Sequence, residues 1–179
     1  MRLYFHLKYN LIRALLFLIL FSKKGYGAEI GVWEGFGAKL IYNLSRPRQL
    51  HLIDPYEAKR CDKVYSDKIP DMDKMYEKVK EWSKNKYITL HRDTSQNVAK
   101  KIDKLKHQLD WVYIDGDHFD AYNDLLYWYK NVKPNGVIMG DDYGVKGYPK
   151  IKEDVDRFCK ERNIKLHHLH YQFWFRNET

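Results

Sequence analysis

The chain has little of what would staple, clip or anchor a fold. Its two cysteines, Cys61 and Cys159, stand far apart and form neither a metal pair nor a redox motif. Such usage fits a reducing compartment without demanding one. No internal repeat, low-complexity tract or Pro/Gly-rich linker divides the 179 residues, and only five are proline. One domain, long enough to bury its own core, is the consequence. The apolar run ALLFLILF, residues 14–21, is far short of the roughly 20 residues a membrane span needs. Blocks of one charge sign are also missing. The net charge of +8 is spread over lysines scattered among acids, with no finger, basic-zipper or aromatic RNA-binding signature beside them. Nucleic acid is therefore not expected as a partner.

What is present begins with an ambiguous N-terminus. Arg2, Lys8 and Arg13, the apolar run, and the small residues of Gly25-Tyr26-Gly27-Ala28 have the outline of a secretory signal. Cleavage near Ala28 would cut through YGAEIGV, which reads as a core strand. The segment is expected instead to be an amphipathic helix over roughly residues 7–22, part of an N-terminal unit 1–25 that packs on a domain 26–179. A cytoplasmic location follows, with targeting or membrane-surface association through residues 7–22 as the alternative.

From there strands and helices alternate. Strands are expected at 26–32, 49–54, 87–91, 109–115 and from 137 into VIMGDDY, where Pro134-Asn135-Gly136 signals a turn. Helices fall at 36–45, 72–84, 95–106 (with Ser95 as N-cap), 121–132 and 148–162. IKLHHL and YQFWFR close the chain too near one another for a helical crossover, so they form an antiparallel hairpin. The pattern predicts an α/β fold with a mostly parallel sheet and helices on both faces.

In such sheets ligands bind at the carboxyl ends of the strands, and chemistry collects there. The first strand runs into EIGVWEGFG, whose Gly31, Gly35 and Gly37 allow a tight turn and close approach of a ligand. Glu29 sits inside that apolar strand, where a carboxylate is costly unless paired or liganded. The second strand ends in Asp54, able to accept from a ribose or simply to form the turn before Pro55, and the third leads to Asp93 and Ser95, which could meet a base edge or, for Ser95, cap a helix. The stretch YIDGDHFDAY follows the fourth strand with Asp115, Asp117, His118 and Asp120, and the fifth ends in Asp141-Asp142. Crowded carboxylates favour a hard divalent cation such as Mg²⁺, and an imidazole beside them suits a proton acceptor.

Taken in order, EIGVWEGFG, LIDPY, DWVYIDGDHFDAYNDL and KPNGVIMGDDY resemble the successive motifs of class I S-adenosylmethionine-dependent methyltransferases. They are most similar to the small O-methyltransferases of the macrolide-sugar (macrocin) type. The resemblance implies a Rossmann-like seven-stranded sheet. It implies Glu29, Gly31, Gly35 and Gly37 around the methionine part of S-adenosylmethionine, Asp54 at the ribose, and Asp93 and Ser95 near the adenine. Asp115 would serve cofactor and metal alike, with Asp141 and Asp142 completing the Mg²⁺ ligands and His118 as catalytic base. The acceptor would be a hydroxylated small molecule such as a sugar, polyol or catechol-like ring. Trp33-Glu34 make the first motif bulkier than the common glycine pattern, and no added lid or oligomerisation domain is evident, so a homo-oligomer is neither required nor excluded.

Three other readings stay open at this stage: methyl transfer without metal, a non-catalytic cofactor-binding module, and a short-chain oxidoreductase using Tyr148 and Lys152. His167, His168 and His170 near the C-terminus lack an evident third partner for zinc and read as polar residues of an edge strand.

Overall fold

The computed structural model describes residues 2–57, 70–84, 86–104 and 108–178. Helix α1 (Arg2–Leu20) precedes β1 (Tyr26–Ile30), α2 (Phe36–Ser45), β2 (Gln49–Ile53), α3 (Met72–Ser83), β3 (Ile88–His91) and α4 (Ser95–Lys104). Then come β4 (Leu109–Ile114), α5 (Ala121–Tyr129), β5 (Val132–Gly140), α6 (Pro149–Glu161), β6 (His167–Leu169) and β7 (Gln172–Arg176). The seven strands lie in the order β3-β2-β1-β4-β5-β7-β6. The first five are parallel, whereas β7 runs antiparallel to both β5 and β6. The expected α/β architecture and its closing hairpin are thus present.

Each face of the sheet buries its own apolar cluster. Ala28, Ile30, Val112 and Ile138 point to one side and pack with α4, α5 and α6 through Val98, Leu125, Trp128 and Phe158. Leu50, Leu52, Trp111 and Met139 point to the other, against α1, α2 and α3. Near-continuous apolar strands are what a sheet covered on both faces requires. Helix α1 joins this packing through aromatic contacts: Phe21 stacks on Trp111 with centroids 4.2 Å apart, and Phe17 meets Tyr113 edge-on at 4.9 Å. Full burial of each such ring is worth roughly 1.5–3 kcal/mol, enough to hold a helix against the sheet. It spans residues 2–20 rather than the expected 7–22.

Two other boundaries differ from the sequence reading. Helix α5 stops at Tyr129, and β5 already begins at Val132, so Pro134-Asn135-Gly136 lies inside the strand's span. Pairing jumps from Leu109–Val132 to Trp111–Val137, and the extra residues bulge out with Asn135 at φ 63°. The backbone of Asn177 stabilises the bulge, its carbonyl accepting from Asn135 N–H at 2.7 Å and its own N–H donating to Gly136 at 2.9 Å. A turn signal thus marks a bulge, because a distant segment supplies the missing pairing. The other change concerns Ser95, the first residue of α4 rather than its cap. The Thr94 carbonyl accepts from Val98 N–H and its hydroxyl from Asn97 N–H.

Candidate active site

The carboxyl ends of β1, β2, β4 and β5 open into one cavity of about 960 Å³. That is near the upper end for small-molecule sites, which run roughly 300–1,000 Å³. Its floor is the turn after β1. Gly31 has φ 84°, and a Cβ there would lie 1.9 Å from the backbone oxygen of Asp115. The glycine therefore serves the close crossing of two strand ends as much as any ligand. Gly35, at φ 78°, packs on Val79 and does not line the cavity. Gly37 does, and beneath it lies Glu29.

Glu29 is 1% exposed, and among the described residues its Oε2 has no hydrogen-bond partner. Burial pushes its carboxyl up to about 8, against a smaller downward pull from Arg13. Arg13 projects from α1 into the same cavity; it is buried too, and its Nε has no partner among the described residues. The rest of the Arg13 guanidinium is engaged, its NH1 with Asp141 at 3.5 Å and its NH2 with Asn10 at 3.1 Å. The open positions at this end of the cavity are therefore one carboxyl oxygen and one guanidinium N–H, a pair that fits a zwitterionic ligand. The sequence reading missed Arg13, although a cation within an apolar helix is the same kind of signal that singled out Glu29.

Asp54 lines the cavity as expected, but its carboxylate first clasps the turn. Oδ2 accepts from Val32 and Trp33 N–H, each at 3.0 Å, and Oδ1 from Tyr56 N–H at 2.8 Å. Asp93, expected near the adenine, is not in the cavity wall. Its oxygens take the Thr94 N–H, the Asn97 side chain and Lys101, which hold its carboxyl down at about 2. Ser95 does line the cavity, and its hydroxyl accepts from Trp128 Nε1 at 2.7 Å. Behind it Asp124, another cavity residue missed in the sequence, is held up at about 6 by burial, against a hydrogen bond from Ser95.

The acids after β4 and β5 converge with His118. One ligand atom each from Asp115, His118 and Asp142 lie within 4.8 Å of one another. His118 Nε2 is 3.0 Å from Asp142 Oδ2, and its ring stacks on Tyr148 with centroids 4.4 Å apart. Asp115 is held well above the usual carboxylate range, chiefly by burial and then by the charges of Asp141 and Asp142. Hard oxygens with one imidazole suit Mg²⁺ or Mn²⁺.

Asp141 departs from the expected ligand set. Its Oδ2 accepts from Tyr9 and, at 3.1 Å, from the Tyr113 hydroxyl, and it pairs with Arg13 at 3.5 Å. Its Oδ1 accepts from Gln172 Nε2 and from Asp142 N–H, each at 2.7 Å. These bonds tie α1 to the end of β5, and Asp141 is not among the three residues whose ligand atoms meet. Asp117 binds Phe119 N–H at the loop tip. The Tyr148–Lys152 pair does not assemble, since Lys152 turns to Asp156. The C-terminal histidines form no metal cluster among the described residues, with His168 beside Tyr143 and His167 on Trp174. Cys61, with the rest of residues 58–69, lies outside the described residues.

Residues 28–143 match the family described as "Methyltransferase domain". The chain belongs to that family, and a methyltransferase is the enzyme class its sequence leads one to expect. No curated protein matches significantly. Among solved structures it is similar to the O-methyltransferase from Bacillus cereus in complex with SAH, at 16% identity and a TM-score of 0.65, covering 92% of this chain and 78% of that one. A second is the O-methyltransferase TomG from Streptomyces achromogenes in complex with SAM, at 13% identity and TM-score 0.65 over 92% and 77%. A third is the N-methyltransferase NodS from Bradyrhizobium japonicum WM9 in complex with SAH, at 10% identity and TM-score 0.65 over 96% and 87%. At such identities the likeness is one of fold.

Proposed function

We propose that the chain is an S-adenosylmethionine-dependent O-methyltransferase acting on a hydroxylated small molecule (a sugar, polyol or catechol-like ring) with the help of a divalent cation, in the manner of the macrocin-type enzymes. The observation that carries the oxygen-directed reading is the meeting of Asp115, His118 and Asp142 at the wall of the cavity. Bound cofactor supplies an activated methyl on a sulfonium, so the protein has chiefly to hold it and align an oxygen behind it. Glu29 accepts the ammonium and Arg13 the carboxylate of its amino-acid end. Asp54 receives the ribose hydroxyls, and Ser95 with Asp124 borders the base.

Asp115 and Asp142 would hold the cation, which lowers the pKa of an acceptor hydroxyl. His118 then has a defined task. Asp142 orients the ring through Nε2, and the remaining nitrogen, Nδ1, takes the hydroxyl proton, with the carboxylate stabilising the imidazolium. Transfer would form the C–O bond as the S–CH₃ bond breaks, and His118 would hold the hydroxyl proton and pass it to water. Calorimetry with S-adenosylhomocysteine, followed by methyl-transfer assays over sugar and catechol acceptors with and without EDTA, tests the reading. Cofactor binding with transfer to nitrogen acceptors alone would overturn it.

A further inference from the structure

Helix α1 is apolar on two opposite sides. Leu16, Phe17 and Phe21 at its end face the sheet, while Leu11, Leu15, Leu18 and Ile19 are 59%, 48%, 46% and 74% exposed. At 100° per residue these four fall within a stripe about 100° wide, so the exposure is a face and not a scatter. An apolar stripe of this kind on an outer helix is a contact surface.

Charge around the stripe identifies what it contacts. Residues 1–28 contain no Asp or Glu, and neither do residues 35–53, although the whole chain has 24 acids. The turn after α1 presents Lys23 and Lys24, and the loop after α2 presents Arg46 and Arg48, all exposed. Two backbone hydrogen bonds tie these segments together: Lys24 N–H donates to Ser45 at 3.2 Å and Arg48 N–H to Gly25 at 2.9 Å. Four cations thus border the C-terminal end of an apolar stripe, with no acid in either segment to neutralise them. Among the described residues no helix is long and apolar enough to cross a membrane, so the stripe can lie on a bilayer but not span it.

We propose that the outer face of α1, with the Lys23–Lys24 and Arg46–Arg48 rim, docks on the surface of an anionic lipid bilayer. The leucines and Ile19 enter the boundary between headgroups and acyl chains while the rim meets lipid phosphates and carboxylates. A second copy of the chain would meet the same cations on its own surface, which disfavours a symmetric pairing of this face. The inner face stays packed, leaving Tyr9 and Arg13 in the cavity wall.

Co-sedimentation of the full chain with phosphatidylcholine vesicles, with and without about 30% phosphatidylserine, tests this. The chain is expected to pellet with the serine-containing vesicles and to be released as salt rises. Leu15→Ser/Ile19→Ser should weaken binding by about tenfold or more, and Lys23→Glu/Lys24→Glu, whose side chains make no core contact, by a similar factor. Thermal melts confirm that both variants fold. No pelleting that depends on phosphatidylserine, or pelleting unchanged in both variants, overturns the proposal. So does a concentration-dependent dimer that Leu15→Ser/Ile19→Ser disperses while vesicles fail to bind.

Discussion

Gly37 lies directly against the carboxylate of Glu29: a Cβ at that position would sit 2.4 Å from Oε1. One residue's lack of a side chain thus preserves the other's reach into the cavity. Gly37→Ala is expected to displace Glu29 and weaken S-adenosylhomocysteine binding by at least tenfold, as the loss of one charged contact would. The overpacking itself should cost about 1–3 kcal/mol of stability. Titration calorimetry and denaturant melts measure the two effects separately.

Glu29 should also make both stability and binding depend on pH. Its folded carboxyl titrates at about 8 against a usual 4.5. Below pH 4.5 both folded and unfolded chains hold the proton, and the group contributes nothing. Between these values only the folded chain holds it, so stability falls as pH rises. Glu29→Gln should flatten that slope and leave stability at pH 4 unchanged. An ammonium ligand draws out the carboxylate form, so binding at pH 7 should release a proton. The binding heat will then differ between buffers of unlike ionisation enthalpy; a buffer-independent heat contradicts the role given to Glu29.

Removing the base should separate chemistry from binding. His118→Ala is expected to lower kcat by about 10²–10⁴-fold while S-adenosylhomocysteine affinity stays within about twofold. Asp142→Asn removes both the partner of His118 and a holder of the cation, and should lower kcat on the same acceptor at least as far.

Asp124 offers a stability test away from the reacting groups. Burial holds its carboxyl at about 6 against an ordinary 3.8, so stability should fall as pH rises through that interval and stay low above it. Asp124→Asn keeps an acceptor for Ser95 and removes the buried charge. It should stabilise the fold at pH 7.5 by an amount on the order of 2–3 kcal/mol and do little at pH 3.5, as thermal melts at the two pH values would show.

Alternating apolar runs and turn residues were enough to place the parallel sheet and the closing hairpin, because burial on both faces leaves a direct mark on sequence. The bulge at Pro134-Asn135-Gly136 was not legible, since it depends on Asn177 from the far end of the chain. The cavity wall was legible where a charge interrupts an apolar strand, as at Glu29, or where acids gather at strand ends, as at Asp115 and Asp142. Sequence could not tell which side chains the fold would use internally. Asp93 is spent on Lys101 and Asp141 on Tyr9, Tyr113 and Gln172, while Asp54 clasps the turn amides as well as lining the cavity. Arg13 escaped notice because the apolar helix around it drew attention to targeting instead.

The most direct measurement is a crystal of the protein grown with S-adenosylhomocysteine and Mn²⁺, with anomalous diffraction to locate the metal. The amino-acid end of the ligand is expected between Glu29 and Arg13, and a manganese peak at Asp115 and Asp142. The Asp115→Asn variant should lose the peak, whereas Asp141→Asn should keep it and lose stability. A ligand outside this cavity, or a metal coordinated chiefly by Asp141, would contradict this arrangement.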